Sequence, residues 1–172
     1  YGCAETDGEV ERLRRAYAGR GLRPGERVAS LLENRPAYFF HWLALNSLGV
    51  GVVPLNPDYR QAELAYALGH SEAKFAVAVA ERTGDLRQAA KSRDLPTPVH
   101  ADSEVRDDWP AAQPVRPAWS EAGYRAAECA VLYTSGTTGA PKGCILSNDY
   151  FLRSGLRYMN RRGLVELEAG AS

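Results

Sequence analysis

Residues 133–143 read YTSGTTGAPKG. These eleven residues hold three glycines, four Ser/Thr hydroxyls, one proline and one lysine. A helix interior or a regular strand does not accommodate that mixture. An anion suits it well. Gly136 and Gly139 allow several backbone N–H groups to converge on one concavity. Thr134, Ser135, Thr137 and Thr138 add hydroxyl donors. Lys142 adds a positive charge on a flexible stem, suited to a polyphosphate, and Pro141 stiffens the approach to it.

Two familiar phosphate loops are excluded. A Walker-type loop places Gly-Lys-Ser/Thr at the start of a helix. Here Pro141 precedes Lys142, Gly143 follows it, and the apolar run GCIL (143–146) intervenes before any helix. A P-loop hydrolase is therefore disfavoured. No G-x-G-x-x-G dinucleotide fingerprint is present either. The bland alternative, a flexible Gly/Ser/Thr surface loop, leaves the order and composition of all eleven residues unexplained.

Other chemistry-bearing residues carry weaker signals. His41, His70 and His100 are far apart and lack an acidic or cysteine cluster, so no metal site is expected. Tyr38, Phe39, Phe40 and Trp42 could line an apolar ligand pocket, yet they run round the whole helix surface, which favours core packing. Arg153, Arg157, Arg161 and Arg162 could meet the phosphates of a ligand, but a solvated helix face is the simpler reading. Glu11 and Arg15 read as a solvated helix pair. Cys144 reads as a buried strand residue.

Alternating strands and helices must position the loop. Val10, Leu13 and Tyr17 form one stripe of a helix over 7–21. RVASLL (27–32) reads as a strand. Asn34 is the expected cap of the next helix, with Pro36 in its first turn. That helix, 37–48, is apolar nearly all round and is expected to be buried between layers. Residues 50–53 form a buried strand, 54–58 a turn, and 61–68 a helix with Leu64, Ala65 and Leu68 inward, ended by Gly69 and His70. FAVAVA (75–80) is a further strand. Strand and helix in this rhythm predict crossover units and a parallel sheet.

From 81 to 123 the pattern weakens. A helix over 86–91 is followed by Pro96, Pro98, Pro110, Pro114 and Pro117, which read as a Pro-rich variable connection within one domain, with Trp109 and Trp119 pinning it to the body. CAVLY (129–133) is a buried strand leading into the loop, GCIL a short strand leaving it. Ser147 then caps a helix to about 160, with Phe151, Ser154 and Tyr158 on one stripe.

The bulk composition agrees with this organisation. The 172 residues fit one ordinary domain, and 45% hydrophobic with 24% charged residues predicts a packed core. Lys plus Arg equals Asp plus Glu at 21 each, which argues against a nucleic-acid surface. No apolar run is long enough to span a bilayer. Three scattered cysteines fit no disulfide framework and suit a cytoplasmic, reducing setting. The chain opens without Met or a signal-peptide pattern, which is expected of a segment of a longer chain.

At YTSGTTGAPKG the sequence resembles the adenylate-forming, AMP-binding enzymes: acyl-CoA synthetases, luciferases and the adenylation domains of peptide synthetases. The resemblance extends through GLRPGERVASLLENRPAYFFHWLALNSLGVGVVPLNPDYRQAELAYALGHSEAKFAV before the loop and ILSNDYF after it. It implies an α/β fold: a layered, mostly parallel sheet with helices on both faces, part of a large N-terminal domain. Residues 1–172 would be a partial AMP-binding domain, truncated at both ends, with 81–123 as the variable connection.

The resemblance also implies chemistry. A carboxylate attacks the α-phosphate of ATP, and a thiol, commonly coenzyme A, then takes the acyl group. Thr134, Ser135, Gly136, Thr137, Thr138, Gly139 and Lys142 would bind the β- and γ-phosphates, and Mg2+ is expected with the nucleotide. VPLNP (53–57) and the aromatic helix point to the acyl-CoA ligase branch. The adenine, ribose and catalytic-lysine elements expected of the family are not found, so no catalytic residue is assigned in this segment and the chain alone is expected to be inactive. The expected partners are a small carboxylic acid and the remainder of the same enzyme. The alternative is a non-catalytic truncated module that binds nucleotide or another protein.

Overall fold

A computed structural model describes residues 2–106, 120–134 and 141–160. Among the described residues six α-helices and six strands follow in the order α1 (Cys3–Gly19), β1 (Arg27–Leu31), α2 (Pro36–Ser47), β2 (Gly51–Pro54), α3 (Gln61–Ser71), β3 (Phe75–Ala78), α4 (Thr83–Lys91), β4 (Val99–Ala101), α5 (Glu121–Ala126), β5 (Glu128–Thr134), β6 (Lys142–Ser147) and α6 (Asn148–Asn160). The strands form one sheet in the order β4-β3-β1-β2-β5-β6. All neighbours pair parallel except β5 with β6, which pair antiparallel.

Strand alternation builds two cores. Val28, Phe75 and Val77 face α1 and α2, where they meet Leu13, Tyr17, Phe40 and Leu45. Ala29, Leu31, Ala76 and Ala78 face α3 and α4, where they meet Leu64, Leu68 and Leu86. The second face carries alanines on its strands, so larger helix side chains fill the gap at native density. A sheet covered on both faces is what parallel crossovers require.

The expected elements are present, with several corrections. Asn34 is not the helix cap: Arg35 holds that position in an extended conformation, and Pro36 opens α2. Gly69 and His70 do not end α3, which runs to Ser71 before Glu72 turns left-handed with φ 55°. The Pro-rich region is more ordered than expected, since α4 begins at Thr83 and Val99–Ala101 adds a parallel strand. That strand is three residues long, too short for a period to show. Trp109 and Trp119 lie outside the described residues.

The helix α2 is not buried all round. Phe40, Ala44 and Leu45 enter the core, whereas Phe39 and Leu43 are 57% and 49% exposed. Tyr158 of α6 is also exposed, while Phe151 of the expected stripe meets Trp42 at 5.5 Å between ring centroids. Cys144 is exposed, on the edge strand β6. Glu11 pairs with Arg14. Arg153 is paired with Asp149, while Arg161 and Arg162 lie outside the described residues.

Candidate phosphate-binding hairpin

The β5–β6 hairpin opens at the C-terminal edge of the parallel strands, where open α/β sheets bind their ligands. Of the seven residues expected to bind phosphate, Thr134 and Lys142 are described; Ser135, Gly136, Thr137, Thr138 and Gly139 lie outside the described residues. Thr134 and Lys142 are direct cross-strand partners. Opposed residues of an antiparallel pair project to one face, so a hydroxyl and an ammonium share a side of the hairpin. Both residues are solvent-exposed. That donor set fits the oxygens of a polyanion and does not fit a bare cation.

The start of β5 is held by polar side chains. Arg27 of β1 donates Nε to Glu128 Oε1 at 2.6 Å and Nη2 to Oε2 at 2.8 Å, and its Nη1 reaches the Ser71 carbonyl at 3.1 Å. Gly51 makes room for this pair, since a Cβ there would lie 2.5 Å from Glu128 Oε1. Asn46 of α2 donates to the Val50 and Cys129 carbonyls at 3.0 and 3.1 Å, and Cys129 Sγ–H donates to Asn46 Oδ1. Burial pushes the Cys129 thiol up, and the side chain is packed in the interior.

The far end of β5 is held by Tyr133. Its ring lies opposite Gly143, where an added Cβ would meet Val131 Cγ1 at 3.0 Å and the ring at 3.4 Å. Its hydroxyl lies 2.9 Å from His70 Nδ1. Burial, and then the neighbouring Tyr66, pushes the phenol up to about 12, so it stays protonated at neutral pH. Sequence reading missed both His70 and Tyr133 as contributors here. His70 and Tyr133 are 63 residues apart, and no local pattern joins them.

His41 is a packed core residue, as expected, with Nδ1 2.6 Å from the Tyr17 hydroxyl. Among the described residues no cluster of three His, Cys, Asp or Glu side chains could hold a metal ion. No helix among them is long and apolar enough to cross a membrane. Described residues line two open cavities. One of about 380 Å³ lies between α2 and α6, lined by Trp42, Leu43, Phe151 and Leu152. One of about 320 Å³ sits at the ends of β1 and β2, lined by Ser30, Glu33, Tyr38 and Pro54. Ser30 Oγ is buried without a hydrogen-bond partner.

Comparison with known proteins gives a consistent picture. A family model described as AMP-binding enzyme matches residues 1–168. The feruloyl-CoA synthase of an Amycolatopsis species is 35% identical over 145 residues, covering 84% of this chain and 28% of that protein. The crotonobetaine/carnitine–CoA ligase of Citrobacter koseri is 30% identical, covering 89% of this chain and 31% of that protein. The chain thus spans less than a third of these curated relatives. In fold it is similar to the o-succinylbenzoate CoA synthetase of Bacillus subtilis, solved with its acyl-adenylate intermediate. The TM-score is 0.77 at 24% identity, covering 95% of this chain and 40% of that one. ATP-bound MatB from Rhodopseudomonas palustris matches with a TM-score of 0.73 at 25% identity, covering 91% and 31%.

Proposed function

The chain belongs to the AMP-binding enzyme family, and from that premise we propose that it is the phosphate-binding part of an ATP-dependent acyl-CoA ligase. The cross-strand pairing of Thr134 with Lys142 at the ligand edge of the sheet carries this reading. The relatives named as CoA ligases support the branch.

In the proposed reaction a small carboxylic acid attacks the α-phosphorus of ATP. The bond to the β-phosphate bridging oxygen breaks, and an acyl-adenylate and pyrophosphate form. The thiol of coenzyme A then attacks the acyl carbon, AMP leaves and a thioester results. Lys142 and the Thr134 hydroxyl would hold the β- and γ-phosphates, with Ser135, Gly136, Thr137, Thr138 and Gly139 completing the cradle. Their role is to orient the triphosphate and to offset negative charge growing on pyrophosphate. Magnesium bound to the nucleotide would supply further charge neutralisation.

Residues 1–172 would act as a partial N-terminal domain, with 81–123 as its variable connection, completed by the remainder of the enzyme. The share of the relatives that the chain spans supports the corollary that the 172-residue chain alone does not adenylate. Three free cysteines suit a cytoplasmic setting.

The test is carboxylate-dependent exchange of pyrophosphate into ATP by the full-length gene product and by its Lys142→Ala variant. Exchange should fall about tenfold to a hundredfold in the variant, the range of one charge-assisted contact. Absence of exchange with any carboxylate in the full-length enzyme would remove the ligase reading. An unchanged variant would remove Lys142 from its role.

A further inference from the structure

The far end of β5 reaches well past its parallel anchor. Val52 of β2 stands opposite Ala130. Thr134 lies four residues further along, and Pro54, at the end of β2, offers no N–H. From there β5 pairs with β6, itself an edge strand. Something outside the ladder must therefore set where Thr134 and Lys142 stand over the sheet.

The Tyr133 side chain meets that need. Its ring covers Gly143 across the strand pair, so it rests on both strands at once. Its hydroxyl reaches the last turns of α3, 2.9 Å from His70 Nδ1 and 3.4 Å from the Ala67 carbonyl. Tyr66 stacks on His70 with centroids 5.3 Å apart at 23°, and presents an edge contact to Tyr133 at 6.3 Å. The same helix end is fixed to the start of β5, because Arg27 bridges the Ser71 carbonyl and Glu128. Resting on the phosphate-binding reading above, we propose that His70 is a positioning residue for nucleotide phosphate. It acts through the Tyr133 phenol, which holds Thr134 and Lys142 in place. His70 touches no substrate in this scheme. It is also exposed, so its loss should not hollow out the core.

The experiment uses the full-length enzyme and carboxylate-dependent pyrophosphate exchange. His70→Ala and Tyr133→Phe should each raise KM for ATP about three- to tenfold, the range of one lost hydrogen bond, with KM for the carboxylate unchanged. The double variant should be no worse than Tyr133→Phe alone. His70→Asn, which keeps a polar atom near the Nδ1 position, should restore KM to within about twofold of wild type. Unchanged KM for ATP in both single variants, or additive losses in the double variant, would overturn the proposal. If wild type shows no exchange, or Lys142→Ala exchanges normally, the phosphate reading fails first. Hydrogen exchange at the Thr134 and Lys142 amides then decides the clamp without turnover. Acceleration in His70→Ala and Tyr133→Phe supports positioning of the hairpin, and wild-type protection overturns it.

Discussion

Thr134 and Lys142 face each other directly across the antiparallel β5–β6 pair, at the mouth of the hairpin. If both contact one polyphosphate, their contributions are coupled. Thr134→Val, which removes the hydroxyl and keeps the shape, should raise KM for ATP about tenfold or less. Added to Lys142→Ala, it should cost less than the sum of the two single losses. A double-mutant cycle in pyrophosphate exchange measures this. Strict additivity would mean that the two residues act on separate groups.

Gly143→Ala should destabilise the hairpin. The new methyl would stand 3.0 Å from Val131 Cγ1 and 3.4 Å from the Tyr133 ring. Overpacking of this kind costs about 1–3 kcal/mol. Urea denaturation should show a lower midpoint with an unchanged slope.

Gly51→Ala and Glu128→Ala should have a shared cause. The first drives a methyl into the Glu128 carboxylate, and the second removes the carboxylate that pairs with a half-buried Arg27. Each is expected to cost about 1–3 kcal/mol. Because both act on the Arg27–Glu128 pair, Gly51→Ala should cost less in the Glu128→Ala background than in wild type. Equal costs in both backgrounds, read by thermal denaturation, would place the strain elsewhere.

His41 should make the fold acid-sensitive. Burial first, and the Arg12 charge second, lower its pKa from 6.5 to about 3. The unfolded state therefore binds a proton that the folded state refuses. This stabilisation is complete above pH 6.5 and is lost as pH falls from there toward 3. Between pH 7 and pH 5 the loss should be about 2 kcal/mol. His41→Asn, which can still accept from Tyr17, should flatten that part of the stability–pH curve. An unaltered curve would show that other groups set the acid response.

Ser30→Ala should be neutral or stabilising. The Ser30 hydroxyl is buried without a partner, and an unsatisfied buried hydroxyl costs about 1–3 kcal/mol. Removing it leaves no donor or acceptor behind. A clear drop in melting temperature would mean that the hydroxyl has a partner in solution.

Most strands and helices were legible in the residues themselves, whereas α5 (Glu121–Ala126), at the end of the stretch where the pattern weakens, was not expected. Apolar runs such as FAVA (75–78) are local properties, and they mark a strand without reference to distant chain. Parallel pairing was expected from the crossover rhythm, whereas the strand order β4-β3-β1-β2-β5-β6 was not. Local pattern could not show β4, three residues long among prolines, because its place in the sheet comes from pairing with β3. It also overstated the burial of α2, since hydrophobicity marks a helix as apolar without saying which neighbour covers each side; Phe39 and Leu43 remain outside. The candidate site divides in the same way. Which residues could bind phosphate is chemistry written in their types and order. That Thr134 stands opposite Lys142, that Tyr133 needs Gly143 across the strand, and that His70 meets the Tyr133 hydroxyl are facts of register and packing between distant segments. Only the folded sheet brings those segments together.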